Sequence, residues 1–234
     1  MANYSVNCRL ATLLFATALI SFSLPTRAGN DEQKSRFPNP AIDAPLTKTA
    51  SRQTAVLAGG CFWGMQLVFQ HVKGVVSVTS GYSGGSANTA HYEIVSTGTT
   101  GHAESIEITY DPSKITYGEL LKIYFSVAHD PTQLNRQGPD VGTQYRSAIF
   151  YADAEQLRIA KAYITELHDL KVFSEPIVTK VVPLSGFYRA EDYHQDYGTL
   201  HPNNPYIVIN DLPKLASLET AFPALYRADG APSG

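Results

Sequence analysis

Thr54-Ala55-Val56-Leu57-Ala58-Gly59-Gly60-Cys61-Phe62-Trp63-Gly64 is the stretch from which the rest of the chain can be read. Thr54–Leu57 is a short apolar run of the kind that forms a buried strand. Gly59 and Gly60 permit a sharp turn where a side chain would clash. Phe62, Met65 and Phe69 then fall on one stripe at helical spacing. Cys61 is therefore expected at the first turn of a helix, where unpaired backbone N–H groups and the helix dipole favour negative charge. Such a position can lower a thiol pKa from about 8.5 to roughly 3.5–7.5 and make the thiolate a nucleophile. The same residues also suit a small buried thiol that packs the strand against the helix.

Beyond this unit, Gly74 stops the helix and Val75–Tyr82 alternates as a strand does. Gly81-Tyr82-Ser83-Gly84-Gly85-Ser86 is a flexible loop without the Gly-Lys-Ser/Thr ending of a phosphate loop, which excludes that mode of nucleotide binding. Glu104–Tyr110 alternates, with Ile106 and Ile108 on one face and Glu107 on the other. Thr116 and Glu119 have capping-box spacing, ahead of a helical stripe of Leu120, Ile123, Tyr124 and Val127. His129–Arg146 is a long Gly-, Pro- and Asn-bearing loop, a length usually tied to function. Ala148–Tyr151 reads as a strand, Ala154–Asp169 as a helix capped by Asp153, Ile177–Val182 as a strand and Glu191–Gly198 as a short helix. Past His201 the expectation is Pro-rich coil with a weak helix near Leu212–Ala221. The order strand, helix, strand, strand, helix, strand fits a split βαβ unit. The expected fold is α+β: a ferredoxin-like two-layer sandwich with extra helices and a long C-terminal coil, in one catalytic domain over residues 53–234.

The 234 residues suffice for one domain with a real core. Residues 1–28 have the form of a signal peptide: Arg9, the apolar run Leu10–Leu24, and Thr26-Arg27-Ala28 ending in a small residue. The run is shorter than the about 20 residues a membrane span needs, although an uncleaved anchor has the same outline. Residues 29–52, with Pro38, Pro40 and Pro45, read as an extended linker. Removing Arg9 and Arg27 leaves 16 basic against 21 acidic side chains, a net charge of −5. That balance offers no basic patch for nucleic acid. Cys8 would leave with the signal, so Cys61 would be the one remaining cysteine and no internal disulfide could form. A lone cysteine in an exported chain is a reactive thiol or an intermolecular partner. No long apolar heptad pattern calls for obligate assembly, so a monomer is expected, periplasmic or secreted.

Gly60-Cys61-Phe62-Trp63, Gly101-His102-Ala103-Glu104 and Gly138-Pro139-Asp140-Val141-Gly142-Thr143-Gln144-Tyr145-Arg146-Ser147 closely resemble three motifs of peptide methionine sulfoxide reductase A, in the family's order and near its spacing. The resemblance runs from about Thr54 to about Pro205. It implies the family's fold and the reduction of methionine S-sulfoxide in proteins or peptides. By residue, it implies Cys61 as nucleophile and Glu104 as acid. Tyr92 and Tyr145 would be donors to the oxygen, Asp140 a residue that orders the site, and Phe62 and Trp63 the methyl pocket.

The residue chemistry agrees with that assignment without requiring it. A thiolate can take a sulfoxide oxygen as a sulfenic acid. Glu104 could be protonated near pH 7 if burial raised its pKa; by the residues alone an exposed strand glutamate is the readier description. Phenols can donate to the developing charge on oxygen, but there are 14 tyrosines to choose from. Asp140 also suits an ordinary turn, and Phe62 ordinary core packing. Aromatic rings make favourable contacts with sulfur. His102 and His194 read as structural hydrogen-bonding residues. No metal-like histidine or cysteine spacing occurs, so neither metal nor cofactor is expected.

The chain departs from many family members in having no cysteine in Thr199–Gly234 and a serine at position 96 where relatives often have cysteine. The implied enzyme is of a one-cysteine type, so an external thiol, small or thioredoxin- or glutaredoxin-like, would regenerate Cys61. Two other classes remain open at this stage: a cysteine-dependent hydrolase or acyl transferase, and a non-catalytic peptide-binding module.

Overall fold

The computed structural model describes residues 37–234 together with Met1. The expected signal peptide, Cys8 and the first part of the linker lie outside those residues. Strand β1 (Gln53–Ala58) is exposed at its first two residues and buried at its last four. Its side chains alternate between two apolar clusters. Ala55 and Leu57 join the main core, whereas Val56 and Ala58 join a smaller one with Ala103, Ala148 and Phe150. Burial on both faces is why this strand is a continuous apolar run.

Gly60, at φ 96°, makes the turn, and Cys61 becomes the N-cap of helix α1 (Phe62–Gln70). Every residue of α1 except Trp63 is buried. Gly74, at φ 92°, then leads into β2 (Val75–Ser83). A single turn, α2 (Tyr92–Val95), precedes β3 (Ala103–Tyr110). The capping box forms as expected, with Thr116 Oγ1 accepting the Glu119 N–H at 3.1 Å and Glu119 Oε2 accepting the Thr116 N–H at 2.9 Å. It starts α3 (Tyr117–Ile123), which widens to π geometry over Tyr124–Ala128. The long loop holds a minimal hairpin, β4 (Arg136–Gln137) and β5 (Asp140–Val141), then a 3₁₀ turn at Thr143–Tyr145. β6 (Ala148–Tyr151) leads to α4 (Ala154–Asp169), where Asp153 Oδ1 accepts the Gln156 N–H at 2.8 Å. There follow β7 (Lys180–Pro183), β8 (Phe187–Arg189), α5 (Tyr197–Leu200) and α6 (Leu212–Ala221).

Six strands form one sheet in the order β7-β6-β1-β3-β2-β8. All neighbours are antiparallel except the β6–β7 pair. Pairing Leu57 with Ile106, and Tyr82 with Glu104, brings Glu104 to the end of β3 nearest the start of α1. The architecture is α+β.

The structure differs from the sequence reading in several places. Residues 81–83, expected in a loop, complete β2, and Glu191–Gly198, expected as one short helix, is a 3₁₀ turn at Asp192–His194 that breaks before α5. The strand expected at Ile177–Val182 pairs only over Lys180–Pro183, and β8 was not anticipated, because three residues after a glycine carry no periodicity. The C-terminal segment is less coil than expected: α5 and α6 wrap over α1, and Val72 bridges to Tyr226. The described part of the linker is extended but docked. Phe37 packs edge-on to Phe173, Tyr163 Oη donates to Pro38 O at 3.0 Å, and Asp43 Oδ1 accepts the Gly118 N–H at 2.9 Å.

Candidate active site

Cys61 ends the turn after β1 and is 9% exposed. The helix start is where the sequence placed it, yet the thiol moves the other way from that expectation. Burial pushes its pKa well up, and the nearby carboxyl groups of Glu104, Asp211 and Asp140 add to this; the Trp63 N–H opposes them and loses. Desolvation of a thiolate outweighs one helix terminus here.

Glu104 is 3% exposed, and its Oε2 accepts the Phe62 N–H at 3.0 Å. Burial is the main cause that pushes its carboxyl up to about 8, Asp140 adds to it, and bonds from Phe62 and Cys61 moderate it. About nine in ten such groups are protonated at pH 7. The alternative of an exposed strand glutamate is thereby overturned. The signal was available in the alternation, since Glu104 shares the inward face of β3 with Ile106 and Ile108.

Tyr92, opening α2, and Tyr145, closing the 3₁₀ turn, are half-buried. Both phenols are raised first by burial and then by the charges of Glu104 and Cys61, so they converge on one place from separate loops. Among the described residues neither hydroxyl has a protein partner. Asp140 Oδ2 accepts from Tyr206 Oη. Phe62 is buried against Tyr82 and His194, at 5.8 and 5.0 Å between ring centroids. Trp63 stacks on Tyr197 at 3.8 Å and 11°, with Tyr206 edge-on at 5.9 Å. All seven residues singled out in the sequence therefore lie around the start of α1.

The sequence reading missed Tyr206, Tyr197, Glu191 and Asp211. Glu191 Oε1 accepts the Tyr92 N–H at 3.0 Å and Oε2 accepts from Tyr82 Oη at 2.8 Å. Burial raises Glu191, but these bonds outweigh it and hold the carboxyl below its usual range. Asp211 is 0% exposed, sits where a side chain on Gly64 would be, and pairs with Lys214 at 3.1 Å. None of the four carries a local pattern, so only their place in the fold reveals them.

His102 and His194 are structural, as read. His102 Nδ1 accepts the Gly85 N–H at 3.2 Å and Nε2 bonds Ser86 O at 3.0 Å. His194 Nδ1 accepts from Trp63 Nε1 at 3.2 Å. No hydrogen bond joins either histidine to Cys61 among the described residues, so the Cys–His dyad of a hydrolase is not assembled. Among the described residues no three His, Cys, Asp or Glu side chains are grouped to hold a metal, and no helix is long and apolar enough to cross a membrane.

A nucleophilic sulfur, a neutral carboxyl, two free phenols and an aromatic wall can together take an oxygen from a substrate sulfur. Residues 53–224 match the family model described as peptide methionine sulfoxide reductase. "Peptide methionine sulfoxide reductase MsrA 2" of Mesorhizobium japonicum is 63% identical over 174 residues, which cover 74% of this chain and 89% of that relative. The protein of the same name from Synechocystis is 54% identical, over 80% of this chain and 88% of its own. Among solved structures, methionine sulfoxide reductase A of Corynebacterium diphtheriae superposes with a TM-score of 0.57 at 34% identity, covering 72% of this chain and 85% of that one.

Proposed function

Since the chain belongs to the peptide methionine sulfoxide reductase family by its match over residues 53–224, we propose that it reduces methionine S-sulfoxide in proteins or peptides through Cys61. The observation that carries this reading is a carboxyl pushed up to about 8 beside a buried thiol at one helix start. The free protein keeps Cys61 as a thiol and Glu104 as an acid, so attack is coupled to proton transfer.

As Cys61 Sγ bonds to the sulfoxide sulfur, the Glu104 proton passes to the oxygen and the thiol proton replaces it on the carboxylate. Tyr92 and Tyr145 donate to that oxygen as charge builds on it. The hydroxyl then moves to Sγ, the bond between the two sulfurs breaks, and methionine leaves. The substrate sulfur gains two electrons and Cys61 loses them, becoming a sulfenic acid. Phe62 and Trp63 seat the methyl group, and the Asp140–Tyr206 pair braces the mouth.

Regeneration is by an external thiol. One thiol displaces water from the sulfenic acid to give a mixed disulfide, and a second releases Cys61. This is supported by Cys61 being the only cysteine after residue 8. The strand order β6-β1-β3-β2, with α1 and α3 as the crossings, supports the ferredoxin-like split βαβ description. Export to the periplasm or outside as a monomer rests on residues 1–28 and the patterning of the chain; N-terminal sequencing of the secreted protein tests the cleavage after Ala28.

The experiment is a single turnover without added thiol, with each sulfur epimer of an N-blocked methionine sulfoxide. About one methionine per Cys61 from the S epimer, and none in Cys61→Ser, is the expected result. No product from either epimer with Cys61 reduced overturns the reading.

A further inference from the structure

The 3₁₀ turn Thr143–Tyr145 and the residue after it grip the segment that follows α2. Thr143 Oγ1 donates to Gly98 O at 2.6 Å, and Gln144 Nε2 donates to Ser96 O at 3.1 Å. Arg146 donates through Nη2 to Gly101 O at 2.8 Å and through Nη1 to His102 O at 3.0 Å. The gripped segment follows Tyr92 and α2 at one end and runs into β3 and Glu104 at the other. A four-residue helix is too short to hold its own shape, so tertiary contacts must fix the place of Tyr92. Gln144 is 4% exposed, whereas the Thr143 bond lies at the surface.

We propose that Gln144 is a positioning residue that sets the spacing of the Tyr92 and Tyr145 phenols, by tying Ser96 O at the end of α2 to the residue beside Tyr145. Its side chain fits because two glycines stand clear of it. A Cβ on Gly142 would come 2.2 Å from Gln144 Oε1, and one on Gly98 3.0 Å. Both glycines have positive φ, 146° and 76°, so backbone and packing call for the same residue at each. Among the described residues Oε1 is buried with no partner. A stranded buried oxygen costs at least as much as the one bond to Ser96 O contributes, so stability alone does not select the amide. What the amide supplies is a directional link between the two loops that carry the phenols. Neither hydroxyl has a protein partner among the described residues, so no bond at the ring tips sets their spacing. Both must donate to one oxygen, and hydrogen bonds weaken steeply with misalignment. A displacement of about 1 Å can cost about 10²-fold in rate.

The consequence for rate rests on the reductase reading, whereas the link between the loops does not. The test compares the full chain with Gln144→Met, which keeps the length of the side chain without its donor. Where Gln144→Met does not fold by circular dichroism, Gln144→Asn, whose amide falls one carbon short of Ser96 O, takes its place. At saturating S-sulfoxide the variant should slow single turnover about fivefold to twentyfold. The sulfoxide concentration for half-maximal rate should stay within about twofold, because the methyl seat is untouched. In a Tyr92→Phe/Tyr145→Phe background the same substitution should slow the reaction by less than about twofold, because the donors it spaces are gone. Hydrogen exchange read by mass spectrometry should quicken about tenfold across residues 92–98. An equal fold-loss in both backgrounds, which a merely structural role gives, overturns the proposal, as does native exchange across 92–98 or an undiminished rate. An inactive native protein whose exchange still responds to the substitution instead removes the reductase reading and leaves the link standing.

Discussion

Glu104 Oε2 accepts the backbone N–H of Phe62 at 3.0 Å, so the acid is tied to the peptide unit next to the nucleophile. A shift of α1 that moved Cys61 would move the carboxyl with it. The bond also favours the carboxylate, yet burial prevails and the group stays an acid near neutrality.

Glu104→Gln keeps an acceptor for that bond but has no proton to give. Its single-turnover rate should fall about 10²- to 10⁴-fold at pH 7. The native rate should fall as pH rises through about 8, because the working form is the protonated one. Stability carries the same sign. The folded group titrates at about 8 and the unfolded one at its ordinary 4.5. Native stability should therefore decline relative to Glu104→Gln between those two values and run level above them. Thermal melts of both proteins across that range check this.

Tyr92→Phe and Tyr145→Phe should each slow single turnover by about 10- to 100-fold while leaving stability within about 0.5 kcal/mol, since among the described residues neither hydroxyl bonds to protein. Tyr82→Phe should behave in the opposite way. It strips a 2.8 Å bond from the half-buried Glu191 carboxylate, at a cost of about 1 kcal/mol. Urea melts beside rapid-quench rates separate the two classes.

Gly64→Ala should destabilise by about 1–3 kcal/mol, because its Cβ would collide with the buried Asp211 carboxyl held by Lys214. Adding Asp211→Ala removes the colliding group, so the double variant should be more stable than the sum of the two single losses. A double-mutant cycle in urea measures that coupling.

Asp43→Ala should cost about 1–2 kcal/mol of stability with single turnover unchanged. Asp43 accepts from Gly118 N–H and Thr116 Oγ1 at the start of α3, in a segment that precedes the family match. Melting and turnover of the same preparation test both halves of this expectation.

Short-range order carried most of what could be read in the chain. The β1–turn–α1 unit, the Thr116–Glu119 box and the Asp153 cap depend on residues within a few positions of one another. Their hydrogen bonds and apolar periodicity are therefore written locally. The three motifs marked Cys61, Glu104, Asp140 and Tyr145 through resemblance, and alternation around Ile106 already turned Glu104 inward. What the tertiary structure alone decided is the electrostatic sense of the site and its second half. Trp63 meets His194 across 131 positions and Tyr92 meets Glu191 across 99, separations that no local pattern encodes. The helix start by itself argued for a lowered thiol; the fold buried it among carboxyl groups and reversed the sign. Burial is a property of the packed chain, and in a low-dielectric interior it outweighs the dipole of one helical turn.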